Sequence, residues 1–308
     1  MSIFIGDKME KITCVGHTAL DYIFNVEKFP EPNTSVQIPS ARKYYGGAAA
    51  NTAVGIKKLG VDSELLSCVG YDFKNSGYER YLKNLKINIS KLYYSDEEET
   101  SKAWIFTDKD NNQITFFLWG AAKHYKEIDP PKFNTEIVHI ATGDPDFNLR
   151  CAKKAYGNNL ISFDPGQDLP LYSKESLLEI IEHTNFLFMN KYEFEKASKL
   201  LNFDIEDYLN RVDILIVTKG SKGSVIYTKD KKIEIPCIKA EKVVDPTGAG
   251  DSYRAGFLSA YIKGYDLEKC GLIASATASF VVEAKGCQTN LPTWDMAIER
   301  LKKYGFRI

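Results

Sequence analysis

Hydrophobic positions along this chain follow two rhythms. Lys11 to Gly16, Ser63 to Val69, Ile137 to Ala141, Leu160 to Phe163, Phe186 to Met189 and Ile214 to Thr218 are short, nearly continuous apolar runs. Runs of that length, each followed by loop residues and a helical pattern, suit strands buried on both faces of a parallel sheet. Helical spacing predicts helices over 48–60, 76–85, 251–263, 266–284 and 293–303, the first closed by Gly60. His17 to Asp21 reads as a polar turn ending in a carboxylate. Two stretches break the alternation. Residues 23–45 hold Pro30, Pro32 and Pro39 beside the β-favouring Ser35 to Ile38. Residues 103–107 and 113–119 are aromatic and β-branched and are joined by Asp108 to Asn112, a hairpin pattern. Lys222 to Tyr227 and Lys232 to Ile235 form a late antiparallel pair. The expectation is an α/β fold over 10–308: one domain, a doubly wound, mostly parallel sheet with helices on both faces, and a small β-sheet lid from about 23–45 and 100–119. A ligand would sit beyond the carboxyl ends of the main strands.

Composition narrows the function class. The 308 residues are 44% hydrophobic and 26% charged, with a formal net charge of −1. No basic excess points to nucleic acid or to an anionic membrane, so any phosphate must be held locally by amides, a metal or a few cations. Cys14, Cys68, Cys151, Cys237, Cys270 and Cys287 are scattered without a C-x-x-C pair, which favours reduced, buried thiols over a disulfide framework. Met1 to Asp7 lacks the features of a signal peptide, and no apolar run is long enough to span a bilayer. A cytoplasmic protein with neither nucleic-acid nor membrane partners is expected.

Four motifs carry chemistry. Asp245-Pro246-Thr247-Gly248-Ala249-Gly250-Asp251 leads into a helix. Consecutive amides with little side-chain bulk at a helix start form an anion pocket, and a carboxylate beside it can take a proton from an attacking hydroxyl. The shorter Gly-Ala-Gly-Asp would also read as an acidic N-cap after a flexible turn. Thr218-Lys219-Gly220-Ser221-Lys222-Gly223 follows an apolar strand and allows a tight turn beside a nucleotide, although Lys-Gly turns end many strands. It is neither a Walker A loop nor a dinucleotide fingerprint. Asn190 and Glu193, three apart, suit waters around Mg²⁺ or, equally, a capping box. Asp21 with Gly46, Gly47 and Asn51 could clasp vicinal hydroxyls.

In this order, and over about 12–291, the motifs resemble the ribokinase-like (PfkB-type) carbohydrate kinase family, and His17 to Asp21 and Tyr44 to Asn51 are similar to archaeal nucleoside kinases. The resemblance implies a transferase that uses ATP and Mg²⁺. Asp251 would be the general base, with the Gly248, Ala249 and Gly250 amides as anion hole. Thr218 to Gly223 and Asn190 would border ATP, and Glu193 would act on Mg²⁺ through water. Asp21, Gly47 and Asn51 would bind ribose. Asp245, Thr247, Gly286 and Asn290 lie where relatives hold a monovalent cation. Ribokinases usually carry Gly-Gly-Lys-Gly-Ala-Asn, whereas Ala48-Ala49-Ala50 stand here, which turns the expectation from ribose toward a nucleoside. Gln37, Gln113, Phe116 and Gln167 are the candidates for base contacts, with Phe117 the alternative ring of the hairpin. The expected reaction is γ-phosphoryl transfer to the 5′-hydroxyl of a ribonucleoside, purine and/or pyrimidine. The alternatives are a sugar or sugar-phosphate kinase (ribose, fructose or fructose 6-phosphate) and a non-catalytic nucleotide-binding sensor. Exposed lid edges make a homodimer through the lid plausible.

Overall fold

The computed structural model describes residues 11–110 and 112–308. In chain order its strands are β1 (Lys11–Val15), β2 (Ala19–Asn25), β3 (Ser40–Gly46), β4 (Asp62–Val69), β5 (Asn88–Tyr94), β6 (Ser101–Thr107), β7 (Gln113–Leu118), β8 (Ile137–Ile140), β9 (Leu160–Phe163), β10 (Phe186–Asn190), β11 (Ile214–Thr218), β12 (Ser224–Tyr227) and β13 (Lys232–Ile235). The helices are α1 (Ala48–Lys58), α2 (Tyr78–Asn84), α3 (Pro145–Ala155), α4 (Lys174–Glu182), α5 (Lys191–Leu201), α6 (Ile205–Leu209), α7 (Ala249–Ile262), α8 (Leu267–Val281) and α9 (Trp294–Lys303), with short 3₁₀ turns between.

Nine strands form the main sheet in the order β13-β12-β11-β10-β9-β8-β1-β4-β5, all running one way except β12, which pairs antiparallel with both β11 and β13. Strand order runs outward from β1 in both directions, so the switch point lies at β1 and β8, and the ends of the parallel strands open on one side there. The apolar runs are buried because helices cover both faces. One cluster packs α1, α7, α8 and α9 against Ile12, Phe186 and Ile216, and the other packs α3, α4 and α5 against Val138, Phe163 and Leu215.

The second sheet has the order β3-β2-β6-β7. The two sheets correct the sequence reading in three places. Asp21 lies inside β2 and not at the end of a turn, because Ala19 to Asn25 pairs along its whole length with β3 and β6. Ser35 to Ile38 forms no strand: Pro30, Pro32 and Pro39 leave that segment without a ladder, and the pairing strand starts at Ser40. Strand β5, which was not expected, pairs parallel with the outer side of β4. All six cysteines are free thiols, five of them buried, while Cys237 is exposed. Among the described residues no helix is long and apolar enough to cross a membrane.

Candidate active site

Helix α7 begins without a side-chain cap. Gly248 takes φ 83°, a left-handed conformation that glycine adopts freely, and turns the 245–247 segment into the helix. Ser252 N donates to Gly248 O at 3.0 Å and Ala249 N donates to Pro246 O at 3.2 Å. Of the amides expected to hold an anion, that of Ala249 is engaged in the turn, while Gly250 and Asp251 carry first-turn N–H groups that precede the intrahelical ladder. The helix also starts two residues earlier than its apolar spacing implied.

Asp251 stands in this first turn. Asn51 Nδ2 donates to its Oδ2 at 2.8 Å, Gln288 Nε2 donates to Asn51 Oδ1 at 2.8 Å and to the Tyr78 hydroxyl at 2.5 Å, and Tyr78 donates to Gly46 O at 3.0 Å. This chain of hydrogen bonds ties the starts of α1 and α7 into one frame. Burial pushes the Asp251 carboxyl up to about 6, against the opposing pull of Arg254 and Asn51. Asp21 faces the same space. Its carboxylate fills the volume a Cβ at Gly46 would take, and burial, then the Asp251 and Asp245 charges, raises it to about 7. Gly47 (φ 90°) brings α1 hard against β1 and β2, since a Cβ there would meet His17 O and Ala19 N. Asp21, Gly47, Asn51 and Asp251, far apart in sequence, thus meet in one cleft.

The other candidates divide. Thr218 is in register with Asn190 at neighbouring strand ends, and Lys219 to Gly223 form an exposed turn closed by Lys219 N donating to Gly223 O at 2.8 Å. Asn190 and Glu193 form a capping box: Asn190 Oδ1 accepts from Tyr192 N and Glu193 N, while Asn190 N and Nδ2 donate to the Glu193 carboxylate, both at 2.6 Å. Burial, then the Asp164 charge, still lifts Glu193 to about 7. Asp245 Oδ1 accepts from Thr247 N and Oγ1, Asn290 Nδ2 donates to Phe280 O, and Gly286 packs on the Tyr44 ring.

The base-contact candidates do not lie together. Strand alternation puts Asp21, Ala103 and Phe117 on the inner face of the second sheet and Phe116 on the outer face, where it meets Phe106 and is 62% exposed. Gln113 is on the inner face but opposite Thr107, about 13 Å along the strands from Asp21 at roughly 3.3 Å per residue, and it bonds Thr107 Oγ1 at the hairpin tip. Gln37 is exposed in the segment before β3, and Gln167 is exposed at the mouth beside Asp168. Sequence reasoning missed His17. It is buried, its Nε2 lies 3.2 Å from Asp168 Oδ2 off the line of a hydrogen bond, neither ring nitrogen has an aligned partner, and its ring contacts Phe117 and Trp119, each at 5.0 Å. Missed as well were Tyr78 and Gln288 in the frame, and Asp164 with Arg254 beneath it. No local spacing marks these residues; only the packing of strand ends brings them together.

Comparison with known proteins gives a consistent picture. The family model described as pfkB family carbohydrate kinase matches residues 9–294. The nucleoside kinase of Methanocaldococcus jannaschii is 89% identical over 300 residues, covering 97% of this chain and 99% of that one. Its crystal structure, of an archaeal member of the ribokinase family, superposes with a TM-score of 0.94 at 90% identity, covering 97% of this chain and all of the other. The nucleoside kinase of Methanothermobacter thermautotrophicus is 45% identical over 94% of each chain. The Burkholderia thailandensis nucleoside kinase in complex with inosine has a TM-score of 0.89 at 27% identity, covering 96% of this chain and 98% of that one.

Proposed function

The chain is a member of the pfkB family of carbohydrate kinases, and from that premise we propose that it is a nucleoside kinase, moving the γ-phosphoryl group of ATP to the 5′-hydroxyl of a ribonucleoside, purine and/or pyrimidine, with Asp251 as general base. The observation that carries this reading is the convergence of Asp251 and Asp21 in one cleft at the uncapped start of α7. A carboxyl near 6 is largely ionised at neutral pH yet basic enough to take a proton as the oxygen attacks. Asn51 holds Oδ2, which leaves Oδ1 to accept that proton. The Gly250 and Asp251 amides and the helix start face the charge that builds on the transferring group. Asp21 and the Gly47–Asn51 turn offer acceptors and donors for the ribose hydroxyls. The wall of His17, Phe117, Trp119 and Asp168, with Gln167 at its mouth, combines ring faces with unpaired polar atoms and so suits a heterocyclic base.

Asp164 is buried, Glu193 and Asp251 are half-buried, and the Asp164 charge raises the proton affinity of both others while Asp251 raises that of Glu193. Such a set fits a hydrated Mg²⁺ beside Glu193, which would supply charge neutralisation on the phosphates. Asp245 and Asn290 already hold internal partners, so a monovalent cation would be met chiefly by carbonyl groups and the free lone pairs of Asp245. The second sheet would act as a lid that excludes water from the cleft and so limits ATP hydrolysis.

One observation favours a second reading. A cavity of about 280 Å³ on the inner face of the second sheet is lined by Ile23, Asn25, Ser40, Tyr44 and two cations, Arg42 and Lys285. A phosphorylated sugar would use such a pair. The test is a panel of nucleosides, ribose, fructose and fructose 6-phosphate with ATP and Mg²⁺. Turnover of nucleosides is expected. Turnover of sugars or sugar phosphates alone would refute the nucleoside reading, and ATP binding without turnover of any acceptor would favour a sensor.

A further inference from the structure

Arg254 is one turn below Asp251 on α7 and belongs to none of the motifs that drew attention to the sequence. It is buried, as is Asp164 at the end of β9, and the two form an ion pair with Nε 2.5 Å from Asp164 Oδ2. Three features set this pair apart from a simple fastener between helix and sheet. The guanidinium reaches back under the anion turn, filling the space that a side chain at position 250 would need, so a larger residue there would push the guanidinium from its seat. The contact with Asp164 is close but off-line, so the buried Nε is left without an aligned acceptor. Three carboxylates, Asp164, Glu193 and Asp251, bear on this one cation. Without it, a triphosphate would approach a buried cluster of like charge, and burying an ion pair merely for stability gains little over apolar packing.

We propose that Arg254, anchored by Asp164, is a positioning residue for phosphoryl transfer: its guanidinium holds the Gly250–Asp251 turn in place and supplies fixed positive charge beneath the site where the transferring group gains negative charge. The proposal rests on the reading of Asp251 and its turn as the reaction centre, and is independent of which acceptor is used. The stabilisation is preorganised, because the cation is already seated before substrates arrive. Lysine would keep the charge but could not span Asp164 and Gly250 as a planar fork does.

The test compares Arg254→Met, Arg254→Lys and Asp164→Asn with the unaltered enzyme in steady-state kinetics, using whichever acceptor the panel shows to be turned over. A failed nucleoside reading then appears as a different acceptor, and a failed Arg254 proposal as an unchanged rate. For Arg254→Met the expected result is a fall in kcat of about 100-fold with the acceptor KM within about threefold, the pattern of an interaction made in the transition state. Arg254→Lys should recover about tenfold of that loss, and Asp164→Asn, with the charge kept and the anchor weakened, should lose about tenfold. A folded Arg254→Met with kcat within threefold of the original, or with its whole loss in KM, overturns the proposal. Should Arg254→Met not fold, wild-type kcat in both Arg254→Lys and Asp164→Asn overturns it instead.

Discussion

Burial holds two carboxyls of the cleft above their ordinary range, Asp251 at about 6 and Asp21 at about 7. A carboxyl raised on folding favours the folded state below its unfolded pKa, near 4, and that contribution is lost as pH rises through 6 to 7. At neutral pH both groups therefore cost stability and are kept for their charge. Asp251→Asn should lower kcat by about 1,000-fold while leaving the ATP dissociation constant nearly unchanged. The same variant should melt a few degrees above the original protein at pH 8, with the two curves converging below pH 4. For the original enzyme, kcat/KM should fall as pH drops through about 6. Steady-state kinetics, calorimetric ATP titration and melting at the two pH values check all three, and an unchanged kcat would remove Asp251 as base. At this scale Asp21, Asn51 and Asp251 could be nominated from their motifs, although Asp21 was read as a turn end and only the fold brings the three together. His17, Gln288, Asp164 and Arg254 were not, since each takes its meaning from a partner more than 75 residues away.

Among the elements, those with one dominant rhythm were readable. The apolar runs of β9 and β11 matched their strands to the residue, because both faces are covered and every position is selected for burial. Strand β5 escaped notice because it is an edge of the main sheet and three of its seven side chains are exposed, so Asn88-Ile89-Ser90-Lys91 shows no clean alternation. The capping box at α5 shows the opposite problem: local sequence allowed two roles for Asn190 and Glu193, and the structure displays the local one plainly while the raised Glu193 carboxyl is in keeping with the other. The join between the two sheets depends on Gly47. A methyl group there would strain the positive φ and collide with the backbone of His17, Thr18 and Ala19, none of which can rotate away. Gly47→Ala should therefore destabilise the protein by about 2–4 kcal/mol and also reduce kcat, because moving the start of α1 moves Asn51 off Asp251. A urea midpoint and activity both at wild-type values would show that the close approach is not needed.

For the whole molecule, the second sheet presents a different problem on each face. Its inner face carries Asp21 and Phe117. Its outer face carries Tyr22 stacked on Trp104 and Phe24 stacked on Phe106, with Phe116 and Ile114 exposed beyond them. An exposed aromatic face of this kind, bounded by the free edges of β3 and β7, usually marks an interaction surface, and a two-fold contact would cover both copies at once. We propose this face as the surface for the homodimer that the sequence suggested only through its edges. Since strand alternation separates the two faces, a charge on the outer one should break association and leave the chemistry intact. Phe116→Asp is expected to sediment as a monomer at a micromolar concentration at which the unaltered protein is expected to sediment as a dimer. Its kcat should stay within about threefold, because Phe117 and Asp21 face the other way. Analytical ultracentrifugation of both proteins decides the matter: a monomeric wild type, or a Phe116→Asp dimer, would move the surface elsewhere. A monomer with kcat reduced far beyond threefold would mean that the partner subunit steadies the lid over the cleft, joining the two faces that the strand alternation separates.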